Sequence, residues 1–149
     1  MVRLTAIKKP FLLIDLAEEL IKSTSNFHLI LIGGGELEDE LIKLVKKRSL
    51  DEYISILGPV YNDDDLSGWF NISDIFIMPT CIGLSAHQSM YFGLPVVTDD
   101  SKINQASESE ILIDNYNCLR YKEGDIKDFA SKVLYLKENS SFLEKIAEN

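Results

Sequence analysis

Two cations, Arg3 and Lys8, stand five residues apart near the amino end of the chain, across what reads as a strand-to-helix turn. Both can lean over one strand end toward a single anion; the plainer reading is a solvated pair. Lys9, next in line, reads as a surface residue. Three glycine turns then follow apolar runs: Gly33 to Gly35 after Phe27–Ile32, Gly58 and Pro59 after Tyr53–Leu57, and Gly83 after Ile75–Met78 and Pro79. A helix entered from such a turn points unpaired N–H groups, and the positive end of its dipole, at whatever lies above the strand ends. Anion binding is the chemistry implied, and phosphate fits best. The stretch Asp74 to Thr98 carries the pattern most completely: a strand, the Gly83 turn, a helix from Leu84 or Ser85, a stop at Gly93–Pro95 and a strand opening at Val96.

The other chemistry-bearing residues are weaker signals. Gly33 to Gly35 has the strand-to-helix setting of a phosphate cradle, with a ligand contact at Gly33 and a simple tight turn as alternatives. GGGE has neither the full dinucleotide fingerprint nor the Lys-Ser/Thr of a triphosphate loop. Adjacent Asp99 and Asp100 lack a third carboxylate at metal-binding spacing, so a loop is expected there and no metal. His87 reads as a packing or capping residue. Glu108 and Glu110, one residue apart, point opposite ways on an extended backbone and do not imply an acid/base couple.

The elements that must position these residues alternate strand and helix. Val2 to Leu4, within Met1–Thr5, read as the last residues of a strand. A helix starts at Lys9 and Pro10, with apolar Leu12, Leu13, Leu16, Ala17 and Leu20 on one stripe, and ends near Lys22. The run Phe27–Ile32 reads as a strand covered on both faces. A helix over Glu36–Lys47, a strand over Tyr53–Leu57, and a helix begun by Asp63, Asp64 and Asp65 follow. After the Asp74–Thr98 unit come a polar loop to Ser109, a short element over Glu110–Asp114, a strand over Asn117–Tyr121, a helix carrying Ile126 to Leu136, and a final helix over Ser141–Ala147. Trp69, Phe70, Tyr91 and Phe92 are assigned to packing. Such alternation with short connections predicts an α/β fold: one domain over 1–149, an open parallel sheet with helices on both faces. Ligands in such sheets sit at the carboxyl ends of the strands, so Arg3, Gly33, Gly58, Pro79 and Thr98 are expected to converge.

Composition bounds the function. With 149 residues the chain suits a single domain able to bury roughly 70% of its unfolded surface. A net charge of −9 argues against a nucleic-acid backbone as partner, which makes the few local cations more informative. Cys81 and Cys118 form no CxxC pair, so no disulfide or zinc site is expected and a reducing, cytoplasmic setting is the default. No apolar run approaches the roughly 18 residues of a membrane span, and no secretory signal follows the first residues.

In order and spacing, VRLTAIKK, FHLILIGGGELEDELIKLV, ISILGPV, LSGWFNISDIFIMP, the GLS turn, FGLPVVT and EILIDNYNCL resemble a known domain. It is the carboxyl-terminal, donor-binding domain of the group 1, glycogen-synthase-like retaining glycosyltransferases. The resemblance implies a Rossmann-like half of a GT-B enzyme that holds a nucleotide-sugar, with an amino-terminal domain, absent from this chain, holding the sugar or lipid-linked acceptor. No cofactor beyond the donor substrate is implied. By the same resemblance Arg3 and Lys8 bind the donor diphosphate and stabilise the leaving group, a task two cations perform without a metal. Gly83, Leu84 and Ser85 form the backbone turn beside the phosphates, Gly58, Pro59 and Val60 border the base, and Glu110 matches the acid of the family's Pro-Glu motif.

The chain departs from the family where two glutamates are usual: Thr80 and Gln88 stand there. Gln88 can still hydrogen-bond a ribose hydroxyl, or lie on a helix surface with no ligand. The expected function is therefore the donor half of a glycosyltransferase in polysaccharide or glycoconjugate synthesis, poorly active or inactive in isolation, and possible at the inner face of a membrane in full-length form. A noncatalytic nucleotide-binding or interaction domain is the alternative, and a nucleotide-sugar epimerase a third.

Overall fold

In the computed structural model the described residues are 2–148; Met1 and Asn149, the ends of the expected domain, lie outside them. Strands β1 (Val2–Arg3), β2 (Leu29–Gly34) and β3 (Ile54–Gly58) form one parallel sheet in the order β1-β2-β3. Strands β4 (Phe76–Ile77), β5 (Val96–Asp99) and β6 (Cys118–Tyr121) form a second parallel sheet in the order β4-β5-β6. Helices α1 (Phe11–Ile21), α2 (Glu38–Lys47), α3 (Asp63–Asn71), α4 (Ser85–Tyr91), α5 (Ile126–Glu138) and α6 (Ser140–Ala147) fill the crossovers and close the chain. The α/β class and parallel pairing are as the alternation predicts. The single sheet is not: among the described residues no ladder joins β1, β2 or β3 to β4, β5 or β6.

Three buried clusters hold this arrangement. Ile14 and Ala17 of α1 pack with Leu41 and Val45 of α2 over Leu31 and Ile54. The opposite edge of α1, Leu16 and Leu20, packs with Val97, Leu119 and Tyr121 and with Phe129, Val133 and Leu136 of α5. Helix α1 thus spans both sheets, which is why its apolar stripe is wide. Phe129 stacks on Tyr121 at 4.0 Å between ring centroids; truncating so buried a ring costs about 3–5 kcal/mol. On the other face Val96 and Cys118 meet Met78, Ile82 and Ala86, so β5 is covered on both sides.

Local chemistry sets the ends of these elements. The Asn62 side chain accepts the Asp64 and Asp65 amides and caps α3, leaving the three aspartates in its first turn near the positive dipole end. Asp125 caps α5 in the same way. A 3-10 turn, Ala6–Lys8, precedes α1, and a second, Ser107–Ile111, replaces the short element expected over Glu110–Asp114. Strand β5 runs one residue beyond the expected end, through a buried Asp99 rather than turning into loop. Tyr91, expected to pack, is instead 85% exposed and touches Phe92 edge-on. No helix of the described residues is long and apolar enough to cross a membrane.

Candidate functional site

Parallel pairing puts the carboxyl ends of β1, β2 and β3 on one edge, and those of β4, β5 and β6 on one edge of their own sheet. The 3-10 turn at Ala6–Lys8 ties the two edges together. The Lys8 ammonium donates to the Cys81 carbonyl in the turn after β4, and Lys9 pairs with Glu123 beyond β6 at 2.8 Å. One bond to Cys81 leaves two of the three ammonium N–H groups for other acceptors.

The turn itself runs from Pro79 to Leu84. Gln105, from the loop after β5, shapes it by accepting the Ile82 amide at 2.9 Å. The main-chain N–H groups of Gly83, Leu84 and Ser85 go to no protein acceptor among the described residues. A methyl group added at Gly83 would meet only a Glu108 carboxylate oxygen, at 3.9 Å, so the space above the turn is open. Helix α4 has seven residues, fewer than the expected unit implies, so its summed dipole is small. Attraction for an anion here falls mainly to Lys8 and the three free amides.

Glu108 is the acid the structure brings to this place. Its own N–H and the Ser107 hydroxyl hold its carboxyl below the usual range, and His87 and Lys8 add attraction. Glu110, singled out by the resemblance, is exposed on the 3-10 turn Ser107–Ile111. Gln88 and His87 are exposed on α4. Thr80, where the family has its first glutamate, is fully buried. Its hydroxyl lacks a well-formed hydrogen bond, yet lies near enough to Asp99 to favour the carboxylate form. A substrate cannot reach Thr80 without opening the turn.

The Gly33–Gly35 turn has a structural duty. A side chain at Gly35 would sit 2.5 Å from the Leu4 carbonyl oxygen, so only glycine lets β1 approach. Leu4 donates to the Gly34 carbonyl and accepts from Leu37. Arg3 is set beside Gly34 by the strand register, exposed and without an ion pair among the described residues. Gly58 is in the left-handed region at φ 69°. The Glu38 carboxylate lies over Gly34 and Gly58, within 3.3 Å of where their side chains would begin. That negative charge disfavours a phosphate at this end and suits neutral N–H or O–H donors, as on a base or a ribose. Pro59 is exposed and Val60 half-buried beside it.

Two residues of the framework were not read from the sequence. Gln105 donates to the Thr98 hydroxyl at 3.0 Å and to the Asp99 carboxylate, so a single side chain joins the end of β5 to the Ile82 amide. Arg120 donates to the carbonyls of Asp99, Ser109 and Leu112 at 3.0–3.1 Å, and so holds the turn bearing Glu108 against β5. Among the described residues no group of three or more His, Cys, Asp or Glu is placed to hold a metal.

Comparison with known proteins agrees with the fold. The poly(ribitol-phosphate) α-N-acetylglucosaminyltransferase of Staphylococcus aureus (strain COL) is 26% identical over 99% of this chain, which spans 30% of that protein. A crystal structure of a variant of S. aureus TarM with fondaparinux, α-GlcNAc-glycerol and UDP superimposes with a TM-score of 0.87 at 23% identity, over 98% of this chain and 29% of that one. The carboxyl-terminal domain of the group 1 family glycosyl transferase LpcC from Francisella tularensis gives 0.81 at 22% identity, over 99% of this chain and 77% of that domain. The family model for glycosyl transferases group 1 matches residues 1–149, and the chain belongs to that family.

Proposed function

We propose that this chain is the donor-binding part of a glycosyltransferase that takes its sugar from a nucleoside diphosphate sugar, with UDP as the carrier. The observation that carries the reading is the Lys8 ammonium fixed on the Cys81 carbonyl, beside the free amides of Gly83, Leu84 and Ser85. The diphosphate lies there, Arg3 reaches it from β1, and the nucleoside extends over Gly33, Gly58, Pro59 and Val60 with Gln88 toward the ribose. Glu108, rather than Glu110, faces the sugar hydroxyls. When the glycosyl C1–O bond breaks, the electron pair stays on the phosphate oxygen, and Lys8 and Arg3 stabilise that charge. The acceptor hydroxyl bonds C1 and gives up its proton to the departing phosphate oxygen. The family resemblance supports retention of configuration and a role in polysaccharide or glycoconjugate synthesis, and the UDP bound by the S. aureus TarM variant supports UDP as the carrier. The acceptor is held by a further domain, and the chain by itself lacks the proximity that transfer needs.

Calorimetric titration of the chain with UDP, GDP, ADP and uridine tests the reading. UDP binding is expected, and Lys8→Ala weakens UDP by about tenfold or more while changing uridine little. No binding of any nucleotide at millimolar concentration overturns it.

The burial of Thr80 supports a second reading, in which the fold binds nucleotide but does not transfer. Transfer assays on a full-length protein decide between the two: activity lost in Gln88→Ala favours the enzyme, and absence of transfer in the unaltered protein favours the binding domain.

A further inference from the structure

The Glu38 carboxylate, in the first turn of α2, spans the ends of two strands. One oxygen stands 3.3 Å from where a Gly34 side chain would begin, at the end of β2, and the other 3.2 Å from the same point at Gly58, at the end of β3. A side chain at either position would crowd it, so the two glycines keep its seat open. Glu38 is half-buried, and neither oxygen accepts a hydrogen bond or pairs with a cation among the described residues. A carboxylate only accepts, and one without a protein donor is set for donors brought from outside.

A donor lies beside it. Pro59 follows Gly58 and has no N–H; Val60 comes next, half-buried, and its N–H goes to no protein acceptor among the described residues. With about 3.8 Å between successive α-carbons, Val60 is near enough to Gly58 for one flat ring to touch both. The turn therefore offers one N–H and one carboxylate side by side. The hydrogen-bonding edge of a nucleobase is read by such pairs. Uracil presents its O4 carbonyl next to N3–H, and guanine O6 next to N1–H: an acceptor for Val60 and a donor for Glu38. Cytosine and adenine present the reverse, an amine against the Val60 N–H and a bare ring nitrogen against the carboxylate. That sets donor on donor and lone pair on lone pair, a mismatch that a site built from fixed polar groups rejects strongly.

We propose that Glu38 is the specificity-determining residue for the base: it accepts the imino N–H of uracil while the Val60 N–H holds O4, and so selects carriers with an imino base over those with an amino base. The proposal rests on the donor reading above, with the nucleoside over Gly58 and the diphosphate at Lys8. Charge sets that direction, because the Glu38 carboxylate repels a phosphate and the Lys8 ammonium attracts one. Gln88 stays with the ribose, and Glu38 takes the ring.

Calorimetric titration with UDP, CDP, 3-methyl-UDP and 2′-deoxy-UDP tests it, on the unaltered chain and on Glu38→Gln and Glu38→Ala. In the unaltered chain UDP is expected to bind about tenfold more tightly than CDP, and about tenfold more tightly than 3-methyl-UDP, whose methyl replaces the donated hydrogen. Glu38→Gln, whose amide both donates and accepts, should cut the UDP-to-CDP ratio by about fivefold, and Glu38→Ala should erase the penalty on the 3-methyl group. Melting should change little in either variant, since Glu38 has no protein partner to lose. UDP binding with the same UDP-to-CDP ratio in all three proteins overturns the proposal and leaves the donor site standing. Equal affinity of UDP and 3-methyl-UDP for the unaltered chain overturns it whatever the variants do. A loss with 2′-deoxy-UDP that Glu38→Ala removes also overturns it, because the carboxylate's partner is then the ribose. Absence of binding by every nucleotide overturns the donor reading and this proposal with it.

Discussion

The Gln105 side chain accepts the Ile82 amide across 23 residues of sequence, at 2.9 Å. Its nitrogen meanwhile donates to Thr98 and Asp99, so the turn from Pro79 to Leu84 is shaped by the end of the neighbouring strand. Gln105→Ala leaves the buried Asp99 short of a donor, and is expected to cost about 1–3 kcal/mol in urea unfolding. It also frees the turn, so UDP affinity should fall by about tenfold. A variant that loses stability but binds UDP with unchanged affinity would separate Gln105 from the site.

Gly35 and Gly83 are glycines for different reasons. Gly35→Ala places a methyl 2.5 Å from the Leu4 carbonyl and forces β1 off β2. A loss of about 2 kcal/mol or more is expected, with melting as the measure. Gly83→Ala meets nothing closer than 3.9 Å, so melting should change little while UDP binding weakens. Equal effects on melting for the two variants would contradict this division.

Asp99 makes stability pH-dependent. Burial raises its pKa above the ordinary carboxylate value, with Thr80 and Gln105 opposing. The folded state therefore holds the proton more tightly than the unfolded one, and this contribution is fully present below about pH 4. It is lost as pH rises through the folded-state pKa. Asp99→Asn, which keeps an oxygen for Gln105, should reduce the decline in unfolding free energy between pH 4 and pH 7. An unchanged slope would show that another group carries it.

The two thiols should differ sharply in reactivity. Burial pushes the Cys118 thiol up to about 11, so thiolate is scarce at neutral pH and the sulfur is inaccessible. Cys81 is half-exposed in the turn beside Lys8. A maleimide is expected to label Cys81 at least a hundredfold faster than Cys118 in the native state, with UDP slowing the Cys81 reaction. Denaturant should abolish the difference; native-state labelling of both at one rate would refute the burial of Cys118.

What was legible in the sequence was local. The stripe Leu12–Leu20, the run ending at Gly33 and the stop at Gly93–Pro95 carry their periodicity and turn chemistry within a few residues, and α1, β2 and α4 appear where these say, within the usual end fraying. Asp99 beside Asp100 reads as loop because the groups that make it a buried strand residue, Gln105 and Thr80, are brought by tertiary packing. Glu108 and Glu110 cannot be ranked by spacing; Arg120, fixing the carbonyls of Ser109 and Leu112, holds the turn that sets Glu108 over Gly83. The turn Ala6–Lys8 is too short to leave a periodic signal. The break between β1 and β4 is invisible to alternation, which reports faces and not ladders.

The adjacent lysines of that first turn have a consequence for the order of events in folding. Their anchors, Cys81 and Glu123, lie 73 and 114 residues away along the chain. Closing loops of that length is slow and waits on the elements at the far end. Lys8 therefore reaches its place only after the second sheet has assembled. A nucleotide site that depends on Lys8 would be completed after α1 and α2, so a nucleotide added during refolding is expected to accelerate nothing before that step.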